Sequence, residues 1–162
     1  SVLKKLNLFF KITKEKNEID LEELFKALEN LKKNKTGALI VFERNSNLDF
    51  VKADGDTLNA NISAPLIESI FFKNSPLHDG ALIIEGNSMT SSRVTLPISK
   101  KKLNKSYGLR HKAGVGITED TDAISIVVSE ETGKISYIKN GEFVEFKNNE
   151  QLRDILLEDL AN

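Results

Sequence analysis

Hydrophobic residues recur along this chain with two different periods, and the alternation between those periods predicts most of its elements. Leu21, Leu24, Phe25, Leu28 and Leu31 fall at three- and four-residue steps, on one face of a helix. Asp20 supplies its N-cap, and Lys32 and Lys33 occupy the last turn, where cations oppose the helix dipole. A continuous apolar run, "GALIVFE" at 37–43, predicts a buried strand; after the turn-like "RNSN", "LDFVKA" is expected to return as its partner. "SAPLIESIFFK" at 63–73 sets Leu66, Ile67, Ile70 and Phe71 on one helical face, with Ser63 as cap and Pro65 in the first turn. Pro76 restrains the residue ahead of it, so this helix ends before "NSPLHDG". "ALIIEG" and "SRVTLPI" read as strands around a turn at Gly86 and Asn87. "YGLRHKAGVGI" at 107–117 predicts a helix that Gly114 and Gly116 weaken. "AISIVVS", "KISYIKNG" and "EFVEF" form a run of strands with a tight turn at Glu131, Thr132 and Gly133, and "NEQLRDILLEDL" closes the chain as an amphipathic helix. With no repeat and no low-complexity linker, the pattern predicts a single α/β (α+β) domain, a mixed central sheet surrounded by helices.

Composition narrows the function classes. At 162 residues, 40% hydrophobic, 29% charged and a formal net charge of −1, the chain is an ordinary globular domain with no basic surplus for a polyanion. The absence of cysteine excludes a disulfide framework, a thiolate zinc site and a cysteine nucleophile, and suits a reducing cytosol. Any metal must then take oxygen or imidazole ligands. "SVLKKLNLFFKITKEK" is too short and too lysine-broken for a membrane span or signal peptide. Neither common glycine-rich phosphate loop is present, nor a G-x-S-x-G nucleophile elbow.

Four stretches could carry chemistry. In "SPLHDGALII", His78 and Asp79 are either turn residues before Gly80 or an imidazole and a carboxylate placed to hold a divalent cation or orient a hydroxyl. In "LRHKAG", Arg110, His111 and Lys112 are either a solvated basic turn or, at a helix start, donors converging on a phosphate. Consecutive helical positions fan out by about 100 degrees, so the three cannot all face one core. In "VVSEETG", Ser129, Glu130 and Glu131 end a buried strand, as a solvated hairpin or as a source of a metal ligand. "KKKLNK" at 100–105 reads as a solvated loop, since it lacks interleaved aromatics.

The order "SPLHDGALII", "TLPIS", "GLRHKAGVGITEDTDA", "VVSEETGKIS" and then "NG" resembles the diadenylate cyclase domain, and most closely its membrane-anchored type, over roughly residues 20 to 160. The resemblance implies that two ATP molecules are condensed into cyclic di-AMP with release of two pyrophosphates, in a homo-oligomer whose active pair meets face to face. It implies Asp79 as the catalytic acid-base residue beside Gly80, with Ala81 completing the family's DGA motif in the ATP site. His78, Asp79 and Glu130 are the implied ligands of a divalent metal, Mn²⁺, Mg²⁺ or Co²⁺. Arg110, His111, Lys112 and Ser129 are the implied phosphate contacts, and Leu96 the apolar wall for adenine. Gly80 is expected to let the ribose approach the backbone. Residues 1–19 are expected to link to a missing transmembrane region on the cytoplasmic side of a bacterial membrane, with 20–162 as the catalytic domain, and no nucleic-acid partner is expected. Departures from the family's pattern are Leu109 for a threonine, Lys112 for an arginine and Thr95 where an aromatic often precedes Leu96. None removes the catalytic acid, so an active enzyme is expected; Leu109 and Lys112 leave, as the alternative, a degenerate module that binds ATP or cyclic di-AMP without catalysis.

Overall fold

A computed structural model describes residues 1–7 and 18–162. Residues 2–7 are helical, and most of the expected linker falls on residues 8–17, outside the described residues. The elements that follow are α1 (Leu21–Lys33), β1 (Ala38–Phe42), α2 (Asp49–Lys52), β2 (Asp56–Asn61), α3 (Ala64–Phe71), β3 (Ala81–Glu85), β4 (Ser88–Val94), α4 (Leu109–Asp120), β5 (Ile124–Val128), β6 (Ile135–Lys139), β7 (Glu142–Val144) and α5 (Asn149–Ala161). The strands make one seven-stranded sheet in the order β2-β4-β3-β1-β5-β6-β7. Among the described residues β1 and β3 pair in parallel and the remaining pairs are antiparallel. The expected mixed sheet surrounded by helices is therefore what the chain builds.

The continuous apolar run of β1 is explained by its place at the centre of this sheet, buried on both faces. Ile40 and Phe42, with Leu82, Ile84, Ile126 and Val128, pack against the apolar faces of α1, α3 and α5. Leu39 and Val41, with Ile83, Val94 and Val127, pack on the other face against Val51 of α2 and Val115 and Ile117 of α4. The caps act as the sequence suggests: Asp20 accepts from the Glu23 amide at 3.1 Å and Ser63 from the Leu66 amide at 3.4 Å.

Two expectations are corrected and one strand is added. "LDFVKA" is not the partner strand of β1 but forms the single turn α2, and β1 pairs instead with β3 and β5. The strand "DTLNAN" (β2) was not anticipated, because it is a polar edge strand whose Leu58 and Ala60 alone pack on the core. "SRVTLPI" is strand only as far as Val94. Beyond it the chain leaves the sheet, and the Ser99 amide bonds the Lys112 carbonyl of α4 at 3.0 Å. The glycines of α4 prove to be packing devices: a Cβ on Gly116 would strike the Pro97 carbonyl, and one on Gly114 would press on Ile138 and Val127.

Candidate active site

Because β1 and β3 run parallel while their other neighbours run antiparallel, four ends meet on one edge of the sheet. There β1 and β3 begin and β4 and β5 end. The loops at these ends, with the start of α4, enclose a cleft of about 830 Å³. His78, Asp79, Gly80, Leu96, Arg110, His111, Ser129 and Glu130 all line it. Residues from motifs up to 52 positions apart, counted from His78 to Glu130, thus share one cavity.

The loop carrying Asp79 is held by its own backbone. His78 donates from its backbone amide at 3.3 Å and from Nδ1 at 2.7 Å to the Ser75 carbonyl. The other ring nitrogen, Nε2, lies 3.3 Å from Asp79 Oδ1. Asp79 is 82% exposed, its carboxylate open to the cleft. Gly80 follows at φ +82°, and a Cβ there would lie 2.7 Å from the Val94 carbonyl oxygen and 2.9 Å from the Arg93 carbonyl carbon. The glycine is thus required by the backbone of β4, a reason different from the expected approach of ribose. The neighbouring strand is irregular at this point: Arg93 has φ +53° and is tethered through Nε to Asp56 at 2.7 Å.

The opposite wall is the start of α4. Gly108, Leu109, Arg110 and His111 line the cleft, so the unpaired amides of the first helical turn and the positive end of the dipole border it. Among the described residues Arg110 makes one long contact with Glu130, 3.5 Å, and its buried Nε has no hydrogen-bond partner. Its guanidinium lies over Gly37, where any Cβ would collide with it and with the Glu130 Cβ at 3.1 Å. Ser129 Oγ accepts from the amides of Glu131 and Thr132, each at 3.2 Å, which leaves its own proton free to donate.

His111 is only 5% exposed, and its Nδ1 accepts from the Gly108 amide at 3.1 Å. Tyr107 packs on the ring at 4.7 Å and stacks on Phe143 at 4.5 Å. Burial, reinforced by the charges of Lys134 and Arg110, pushes the imidazole below its ordinary range. His111 therefore enters the cleft as a neutral Nε2–H donor. A histidine depressed in the folded state binds fewer protons there than when unfolded, so its contribution to stability is intact above the unfolded value of about 6.5 and is lost as pH falls through it. Denaturation midpoints measured from pH 8 to pH 5 are expected to drop below about pH 6.5. In His111→Asn, where an amide oxygen can replace Nδ1 as acceptor, that drop is expected to disappear.

Residues 25–143 match the family described as DAC, DisA bacterial checkpoint controller nucleotide-binding. The chain belongs to the DAC family. A Listeria monocytogenes protein named diadenylate cyclase is 45% identical over 142 residues, which cover 87% of this chain and 52% of that protein. The chain thus spans about half the length of that relative. Among solved structures, DacA from Staphylococcus aureus, crystallised as a double mutant, superposes with a TM-score of 0.83 at 39% identity, covering 87% of this chain and 95% of that one. A hypothetical membrane spanning protein from Bacillus cereus gives a TM-score of 0.76 at 40% identity, covering 81% and 65%.

Within this DAC domain, two of the expected contacts lie outside the cleft lining. Lys112 turns away because it follows Arg110 and His111 at helical spacing, and its carbonyl ties down the 97–99 segment instead. Ala81 is wholly buried, pairing with Val94 at the mouth of the sheet. Gly37 and Phe72 line the cleft without having been singled out from the sequence. No group of three or more histidine, aspartate or glutamate side chains gathers at one point among the described residues. No helix among them is long and apolar enough to cross a membrane.

Proposed function

We propose that the cleft binds ATP and that two copies of the chain, each holding one ATP, meet face to face to form cyclic 3′,5′-di-AMP. Each 3′-hydroxyl attacks the α-phosphorus of the opposite nucleotide. One P–O bond forms and one Pα–O–Pβ bond breaks at each end, so two pyrophosphates leave. The observation that carries this reading is a solvent-open carboxylate, Asp79, sharing one cleft with the donor-rich start of α4. Asp79 takes the proton of the attacking hydroxyl. Arg110, with a guanidinium only loosely paired to Glu130, grips phosphate oxygens together with His111 Nε2–H, the Ser129 hydroxyl and the free amides of the first turn. Leu96, nearly buried on the cleft floor, offers the base an apolar surface. An Asp79 carboxylate exposed in the single chain gains a dry environment only when a second surface covers it, which supports a face-to-face pair.

A divalent cation would fit at His78 and Asp79, because a ring nitrogen, Nε2, and a carboxylate oxygen, Oδ1, lie 3.3 Å apart, close enough to share one ion. An imidazole and carboxylate set favours Mn²⁺ or Co²⁺ over Mg²⁺. Bound there, the cation supplies charge neutralisation at the phosphates and acidifies the hydroxyl. Glu130 already engages Arg110, so it serves the metal less directly than expected from the resemblance.

The departures from the family's pattern weigh little against catalysis. Lys112 lies outside the cleft lining, so a lysine there removes no fork from the phosphates. Leu109 adds an exposed apolar side chain and leaves the helix amides in place. Residues 20–162 are proposed as the catalytic unit. The N-terminal segment is proposed to lead to a membrane-spanning region, with the cleft on the cytoplasmic side, where ATP is found. The Bacillus cereus relative, itself described as a hypothetical membrane spanning protein, supports the membrane-spanning region. Incubating the chain with ATP and each metal in turn, and weighing the products, tests the activity. Cyclic di-AMP is expected with Mn²⁺ or Co²⁺, and ATP recovered unchanged with every metal would leave only a binding module.

A further inference from the structure

We propose that Phe72 is the base-stacking residue of the cleft, its ring face carrying the purine of the bound nucleotide. The proposal rests on the nucleotide-binding reading above and assigns a part of the site that reading leaves open. Three exposed large apolar side chains border the cleft, Phe72, Ile98 and Leu109, and only Phe72 presents a ring. The other rings of the lining are committed elsewhere. Phe71 is buried in the core, His111 is covered by Tyr107, and His78 is bonded to Ser75.

The exposure of Phe72 follows from how α3 ends. The helix stops at Phe71, and Phe72 takes an extended conformation at its C-cap, with φ −50° and ψ 132°. Phe71 continues the apolar stripe into the core, whereas Phe72 leaves it and remains 59% exposed. Among the described residues its ring has no aromatic or cationic partner. Water is a poor neighbour for such a face, and a purine is a good one.

Its position is not loose. The Ser75 amide donates to the Phe72 carbonyl at 2.8 Å, and the Ser75 carbonyl accepts both bonds from His78. Phe72 is therefore tied by two successive turns to the residue beside Asp79. A base stacked on the ring would be registered against the carboxylate that meets its ribose.

Stacking on a ring is tolerant of base identity and independent of the phosphates, which makes the contribution separable. The test is calorimetric binding to the whole chain, with Mn²⁺, of 3′-deoxy-ATP, which lacks the attacking hydroxyl, and of ribose 5-triphosphate, which lacks the base. Phe72→Ala is expected to weaken 3′-deoxy-ATP about tenfold or more. It is expected to leave ribose 5-triphosphate unchanged, and Phe72→Tyr is expected to bind both as the parent chain does. Equal losses for both ligands, no loss for either, or an effect confined to self-association would overturn the assignment. Because the readout is binding and 3′-deoxy-ATP cannot react, a chain that makes no cyclic di-AMP would still give a clear answer about Phe72.

Discussion

Asp79→Asn is expected to lower the rate of cyclic di-AMP formation by about 10²- to 10⁴-fold, the range for loss of a positioned general base. Nucleotide binding and thermal stability should change little. The side chain is 82% exposed, and its ion-pair neighbour among the described residues is His78, so the isosteric amide disturbs little packing. An amide can still accept a hydrogen bond from a ribose hydroxyl but cannot take its proton. It also replaces the charged carboxylate oxygen 3.3 Å from His78 Nε2 with a neutral amide oxygen, so tight Mn²⁺ binding should weaken in parallel. A variant that binds 3′-deoxy-ATP normally yet turns over at the parent rate would remove Asp79 from the chemistry.

Gly80→Ala is expected to fail for a different reason, and to fail in the fold as well as in the reaction. A side chain at φ +82° costs on the order of 1–3 kcal/mol by itself. The new methyl would also sit 2.7 Å from the Val94 carbonyl oxygen, in backbone that the Arg93 and Asp56 ion pair fastens in place. A total near 3 kcal/mol corresponds to a fall of about 10 °C in Tm for a chain of this size. Relief of the clash would move Asp79, the preceding residue, so the surviving folded protein should be nearly inactive. An unchanged melting temperature would show that the β4 backbone yields without cost.

The elements with long, regular patterns were legible because one physical pattern determined each. α1, α3 and α5 carry helical stripes, and β1 and β5 carry apolar runs that only a strand buried on both faces needs. "LDFVKA" misled because Leu48, Phe50 and the residues between them alternate as a strand would. In the fold the buried pair is Leu48 and Val51, three apart, and Phe50 points outward. β2 hid for the opposite reason, an edge strand with too few apolar residues to show a period. In the site, residues from separate motifs share the cleft: Asp79, Arg110, His111, Ser129, Glu130 and Leu96 all line it. What the sequence could not display were relations through space. Gly37 matters because Arg110 lies across it, and Phe72 because its helix ends one residue earlier. Lys112, matched to a phosphate motif by the resemblance, lies outside the cleft lining at the next helical position after His111.

The central claim is that two copies each bring one ATP and one Asp79 to a shared reaction. It is tested most directly by mixing the parent chain with an excess of Asp79→Asn, adding ATP and Mn²⁺, and weighing the products as they form. In a mixed pair only one hydroxyl is activated, so one attack occurs and one pyrophosphate leaves. Accumulation of the linear dinucleotide, two adenosines joined by a single 3′,5′ bond with a triphosphate retained, is the predicted result. Cyclic di-AMP formed at the parent chain's undiminished rate, with no linear product, would mean that one copy completes both steps alone and would contradict the account.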